Sequence, residues 1–152
     1  MESISIKPCS VADIESAPNV ADLLAEYAEE SALDALGGAN PQWETYRQME
    51  AVGVARVLGA FQREKLVGFL VLLVSIVPHF GKPLASTESF FVAQSARKTG
   101  AGLKLLREAE NIARDTGAVG FFVSAPMGSR LAKVLPGVGY RETNRMFFRG
   151  LQ

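Results

Sequence analysis

The run "LVGFLVLLVSIV", Leu66 to Val77, limits what this chain can become more than any other stretch. It is almost wholly apolar and rich in β-branched residues, so a strand with one wet face would leave half of it in water. A membrane-spanning helix needs about 20 apolar residues, and this run is shorter. What remains is a strand covered on both faces, at the centre of a sheet with helices above and below. At 152 residues the chain can bury roughly two-thirds of its unfolded surface, enough for such a sheet without disulfides. One domain, residues 1–152, is expected.

The rest of the chain reads as elements around that strand. Ser3 to Lys7 alternates Ile4 and Ile6 with polar neighbours, a first strand ended by Pro8. "NVADLLAEYAEESAL" places Val20, Leu23, Leu24 and Tyr27 at helical spacing behind Asn19 as N-cap. A second helix starts with Asn40 as N-cap and Pro41 at its first position and stops near Gly53. Its stripe of Trp43, Tyr46 and Met49 faces the core or flanks a cleft. Val54–Gln62 and Leu66–Val77, joined by "REK", form a hairpin, and Leu84–Val92 follows as a third antiparallel strand. A helix from about Gly102 to Thr116 carries Leu103, Leu106, Ala109 and Ile112/Ala113 on one face, and Gly117 stops it. "AVGFFVSAP" is a further strand, "SRLAKVL" a short helix and "GYRETNRMFFRGL" a last strand. The fold class is α/β (α+β), a mixed central sheet with antiparallel N-terminal strands and helices on both faces.

Acidic and basic residues balance at 16 each, so no global field draws in nucleic acid or an acidic membrane. Any anion site must be built locally. One cysteine, Cys9, and one histidine, His79, leave neither an internal disulfide nor a metal cluster. The start "MESISIKP" lacks the pattern of a secretory signal, which points to a cytoplasmic protein. A homodimer is left open.

Local positive charge gathers at "RKTGAGLKLL", Arg97 to Leu106, where two glycines precede a helix. Gly100 and Gly102 leave backbone N–H groups uncovered at the positive end of the helix dipole, a site for an anion; the bland alternative is a solvated strand-to-helix turn. A P-loop would need Lys then Ser or Thr after the second glycine, but Leu103 and Lys104 stand there. A dinucleotide fingerprint would place a third glycine at Leu105. Neither pattern fits.

The spacing Arg97, Gly100, Gly102 matches Q/R-x-x-G-x-G/A, and the segment "ESFFVAQSARKTGAG" resembles the fourth strand and pyrophosphate loop of the GNAT acyltransferase superfamily. "AVGFFVSAP" is similar to its fifth strand and "VGYRETNRMFFRGL" to its closing segment; the layout "PHFGK…ESFFV…RKTGAGLKLL" particularly resembles members encoded by phages and prophages. The resemblance implies acetyl-CoA as co-substrate and an amine acceptor, with direct transfer in a ternary complex. It implies that Arg97, Lys98, Thr99, Gly100, Ala101, Gly102 and Leu103 hold the pyrophosphate, that Phe91 and Val92 hold the pantetheine arm with the Val92 N–H as oxyanion donor, and that Ser124 forms the opposite wall.

Glu88 shares strand parity with Phe90 and Val92, which would put it on an apolar face as general base, or else it is an ordinary carboxylate at the sheet margin; His79 is the second candidate, against a solvated or structural histidine in the loop after Pro78. The family's acid tyrosine falls on Leu135 and its helix asparagine on Gly128, so Tyr140, Ser124 or a water would have to protonate the departing thiolate. That departure keeps a second reading alive, a non-catalytic acyl-CoA sensor or interaction module. Cys9 reads as packed, with no neighbour in sequence to activate it.

Overall fold

The apolar run does form the central strand. In the computed structural model, which describes residues 3–31 and 36–152, five strands lie side by side in chain order: β1 (Ser5–Cys9), β2 (Ala55–Gln62), β3 (Lys65–Val77), β4 (Lys82–Val92) and β5 (Phe121–Phe122). The first three pairings are antiparallel and β4–β5 is parallel. Residues Leu66 to Leu72 of β3 are all buried. Arg63 and Glu64 turn the β2–β3 hairpin with φ of 50° and 64°, the left-handed twist a two-residue turn requires.

Helices cover both faces. On one side α4 (Ala101–Asp115) lays Ala101, Leu105, Ala109 and Ala113 against the sheet, packing with Leu58, Leu70, Leu72 and Ala85. Leu105, rather than the expected Leu103, is the fully buried leucine of this face. Gly117, at φ 85°, ends the helix in a Schellman motif: its N–H donates to the Arg114 carbonyl and that of Ala118 to Ala113, both 3.0 Å. On the other side α1 (Val11–Glu15), α2 (Val20–Glu30) and α3 (Trp43–Ala51) pack Val11, Ile14, Leu23 and the Trp43–Tyr46–Met49 stripe against Val57, Phe69, Val71 and Phe91. The stripe packs half-buried against the core on this face. Each fully buried leucine of these layers contributes about 1.5–3 kcal/mol.

Several boundaries differ from the expectation. β1 runs through Pro8 to Cys9, which an edge strand tolerates because one row of its backbone groups has no partner. α1 was not anticipated; a capping box starts it, with the Ser10 hydroxyl accepting from the Asp13 N–H and Asp13 accepting from that of Ser10. Asn19 stands at the N-cap of α2, but its side chain donates to the Leu66 carbonyl at 2.8 Å and ties the helix to β3 instead. The expected continuation of this helix over 32–33 lies outside the described residues. α3 begins at Trp43, two residues after Pro41. "SRLAKVL" supplies α5 (Arg130–Val134), capped by Ser129. β5 is only two residues long, and residues 141–152 form no strand: no backbone bond from them reaches another described residue.

Among the described residues no helix is long and apolar enough to cross a membrane.

Candidate active site

β5 pairs with β4 only at Ala85 and Ser86, so the two strands part beyond that point. Ser124 still reaches across, but to a side chain, its N–H donating to the Thr87 hydroxyl at 3.0 Å. The last residues of β4 stay on β3, where the Ala93 N–H donates to the Val67 carbonyl at 2.8 Å. Antiparallel alternation then turns Val92, opposite Gly68, away from β3. Its carbonyl accepts from Arg97 Nε at 3.0 Å, and its N–H faces the gap left by β5 with no acceptor among the described residues. The Phe90 N–H faces the same way and donates to the Tyr27 hydroxyl at 3.4 Å.

From this gap the chain makes a 3-10 turn, Gln94–Thr99, and enters α4 through Gly100 in a left-handed conformation (φ 84°). A glycine there gives α4 no side-chain cap. Ala101 donates to the Thr99 hydroxyl at 3.3 Å, whereas the N–H groups of Gly102 and Leu103 have no acceptor among the described residues. A Cβ on Gly102 would meet only Val92 Cγ2, at 3.8 Å, and one on Gly100 would meet nothing within 4 Å. Internal packing therefore does not ask for glycine at 102; the space outside the loop is left clear. Lys98 is exposed beside it.

Arg97 is directed elsewhere. Its guanidinium pairs with Glu30 of α2, donates to the Val92 carbonyl and lies 5.5 Å over the Phe91 ring. The Glu30 hydrogen bond raises its pKa. One turn earlier on α2, Glu26 accepts from the Gln94 N–H at 3.1 Å, so two carboxylates clamp the loop to α2.

Glu88 is not on the face that strand parity assigns it. In the β3–β4 ladder Val71 pairs with Ser89 and Leu72 with Thr87, so Glu88 is the extra residue of a β-bulge. The bulge reverses the alternation: Phe90 and Val92 pack on the α4 side, while the exposed Glu88 turns to the other. There the Tyr46 hydroxyl donates to its two carboxylate oxygens, each at 2.9 Å, and Ser89 Oγ donates at 2.6 Å. Burial, then the Glu88 charge, pushes the Tyr46 phenol up to about 12. It keeps its proton at neutral pH. Tyr46, Tyr27, Trp43, Phe69 and Ser89 line a cleft with an almost wholly apolar wall next to this carboxylate.

The family model for "Acetyltransferase (GNAT) family" matches residues 18–129, from the start of α2 through both walls of the gap and the glycine loop. The chain belongs to the GNAT acetyltransferase family. Solved structures agree in fold. An aminoglycoside acetyltransferase from an uncultured soil metagenomic sample is 18% identical with a TM-score of 0.76, the match covering 99% of both chains. A second such enzyme, solved with trehalose, is 20% identical with a TM-score of 0.75, covering 98% of this chain and 97% of that one. A ribosomal-protein-alanine N-acetyltransferase from Brucella melitensis biovar Abortus 2308 is 20% identical with a TM-score of 0.71, covering 97% and 98%. No curated protein sequence matches. The expected likeness to phage-encoded members finds no support in these comparisons.

For a GNAT protein, the remaining candidates fall at different distances from the gap. His79 packs edge-on against Phe80 at the tip of the β3–β4 hairpin. At about 3.3 Å per residue, the length of β4 puts it roughly 30 Å from Val92, so its loop does not fold over the gap. The Tyr140 hydroxyl donates to Glu110 at 3.0 Å, its ring against Phe121. Burial and that carboxylate raise its pKa. Glu110 lies about 15 Å along α4 from Gly100. Cys9 donates to the Lys7 carbonyl at 3.4 Å, and burial pushes its thiol up, the reverse of activation. Sequence reasoning missed Tyr27, Glu26 and Glu30, and missed that Tyr46 reaches Glu88. Helical spacing on α2 and α3 was their only signal.

Proposed function

We propose that the chain is an acetyl-CoA-dependent N-acetyltransferase that moves the acetyl group to a primary amine in a ternary complex. The observation that carries this reading is the uncovered start of α4, with clear space outside Gly100 and Gly102, next to the place where β4 parts from β5. A diphosphate fits there: the Gly102 and Leu103 amides, with roughly half a positive charge from the helix dipole, would hold it, and Lys98 would add charge from outside. Arg97 serves as a brace for the loop through Glu30 and the Val92 carbonyl. The Val92 N–H, facing the gap, is aimed to stabilise charge developing on the acyl oxygen. When bound, acetyl-CoA supplies the activated acyl group; the chain supplies position and polarity.

Glu88 is the base in this reading. The amine enters along the aromatic cleft, and the carboxylate, oriented by Tyr46 and Ser89, takes its proton directly or through a water. Tyr140, bound to Glu110, is a poor match for the acid, so protonation of the thiolate falls to Ser124 or to water. A thiolate leaves readily without help.

Release of free thiol from acetyl-CoA in the presence of a panel of primary amines tests the proposal. Turnover with at least one amine, together with a thermal shift by acetyl-CoA and none by ATP or NAD, is expected. A shift without turnover across the panel favours the acyl-CoA sensor, which the Leu135 and Gly128 departures keep in view; a shift with ATP alone removes both readings.

A further inference from the structure

The aromatic cleft beside Glu88 has two unlike ends. Its floor is a row of paired residues that crosses the sheet: Ser89 of β4, Val71 of β3 and Val57 of β2. At just under 5 Å per strand the row is about 10 Å long. Leu24 and Tyr27 of α2 and Trp43 and Tyr46 of α3 form the wall above it. At the β4 end the cleft is polar. The Tyr46 and Ser89 hydroxyls donate to Glu88, and the Tyr27 hydroxyl accepts from the Phe90 N–H, so both phenols come down on β4 beside the gap. Two strands away it is apolar, with Val57 buried among Val11 and Ile14 of α1.

No described residue that lines the cleft carries a charge. The carboxylates of α1 and α3 are turned to other partners: Asp13 caps α1, Glu15 and Glu44 pair with Arg47, and Glu50 accepts from the Val11 N–H at 2.9 Å. A molecule lying along the floor therefore meets one carboxylate, at one end, and apolar side chains and rings elsewhere. One ammonium is accommodated beside Glu88. A second, stranded near Val57, would lose its water and gain no counter-ion, a cost that apolar walls cannot offset. A ring gains most there: Tyr27 stands edge-on to Phe69 at 5.8 Å, and Trp43 and Tyr46 lie 6.3 Å apart, so faces and edges are both on offer.

We infer that the acceptor is an arylalkylamine with a single positive charge, its ring over Val71 between Tyr27, Trp43 and Tyr46 and its amino group at Glu88. This substrate class rests on the acetyl-transfer reading above. Glu88 takes one proton from the ammonium and passes it to solvent. The freed nitrogen pair forms the C–N bond to the acyl carbon, and the C–S bond breaks with its pair on sulfur. The second nitrogen proton ends on that sulfur through Ser124 or water, leaving an amide and a free thiol. Amines with several ammonium groups, such as polyamines, are excluded by the same walls.

Thiol release from acetyl-CoA tests this with para-ethylbenzylamine, with para-xylylenediamine, which exchanges the terminal methyl for a second ammonium, and with n-propylamine, which lacks the ring. The first is expected to show kcat/KM roughly fiftyfold above the diamine and about tenfold above n-propylamine. Trp43, the one tryptophan of the chain, gives a readout without turnover. Its fluorescence is expected to shift when para-ethylbenzylamine is added to the protein saturated with coenzyme A, and to hold with the diamine at the same concentration. Leu24→Glu places a carboxylate at a half-buried wall position and is expected to reverse the preference toward the diamine, its fold checked by circular dichroism. Equal or better turnover of the diamine or of n-propylamine by the natural chain overturns the inference and leaves the transfer reading standing. A folded Leu24→Glu variant that keeps the natural preference overturns it too. Release with no amine of a wider panel overturns the transfer reading, and the acceptor class falls with it.

Discussion

At the scale of single residues the proposed chemistry puts the base at Glu88, held by the Tyr46 hydroxyl. A free alkyl amine is mostly protonated at neutral pH, so a base matters most where little of the amine is neutral. Glu88→Gln keeps an oxygen for the Tyr46 hydroxyl and removes the base. It is expected to lower kcat at least tenfold at pH 7, with the deficit narrowing toward pH 9 and acetyl-CoA affinity unchanged; a deficit of the same size at every pH would argue for a merely structural carboxylate. Tyr46 gives a second test, in stability. Its folded pKa is raised from about 10 to about 12, so its contribution is complete below pH 10 and is lost as pH rises from 10 to about 12, where the unfolded phenol has already ionised. Melting temperatures measured across that window should fall more steeply for the natural chain than for Tyr46→Phe. Equal slopes would mean that the hydroxyl is not held by Glu88 and burial.

At the scale of elements, α2 governs the glycine loop as much as the loop's own residues do. Glu26 and Glu30, one turn apart, place two carboxylates beside a site proposed to receive phosphates. Glu30→Gln is expected to tighten acetyl-CoA binding two- to fivefold at low salt, with the gain fading as salt is raised. The ion pair is partly exposed, so its loss costs no more than about 1 kcal/mol, a melting shift of roughly 2–4 °C. Weaker binding in this variant would mean that Arg97 must be held by Glu30 for the loop to work. The meander and α4 were legible in the sequence because their signals are local: the apolar run, the "REK" turn, the glycine ending α4. α1 was legible in principle, since Ser10 and Asp13 spell a capping box, but five residues leave little periodicity to notice. The bulge at Glu88 was not legible. It depends on how β3 and β4 align, and strand parity read along β4 alone assigned Glu88 to the wrong face.

At the scale of the whole molecule, the parting of β4 from β5 is what gives the chain an interior edge to work with. The sheet is covered on both faces where its long apolar strand demands it, and it opens where β5 stops after two residues. The loop that lines this opening is legible in the family motif, because a glycine pair ahead of a helix is a local feature. The expected closing strand was misread for the opposite reason: residues 141–152 have the composition of a strand but no partner among the described residues of their own chain. The most direct test of the account is calorimetric titration of acetyl-CoA into Gly102→Ala. An added methyl has room within the fold, 3.8 Å from its only neighbour, and alanine favours a helix. The melting temperature should therefore hold or rise by a few degrees, while affinity for acetyl-CoA falls at least tenfold because the methyl occupies the space the diphosphate needs; undiminished affinity in a well-folded variant would contradict the claim that this loop binds it.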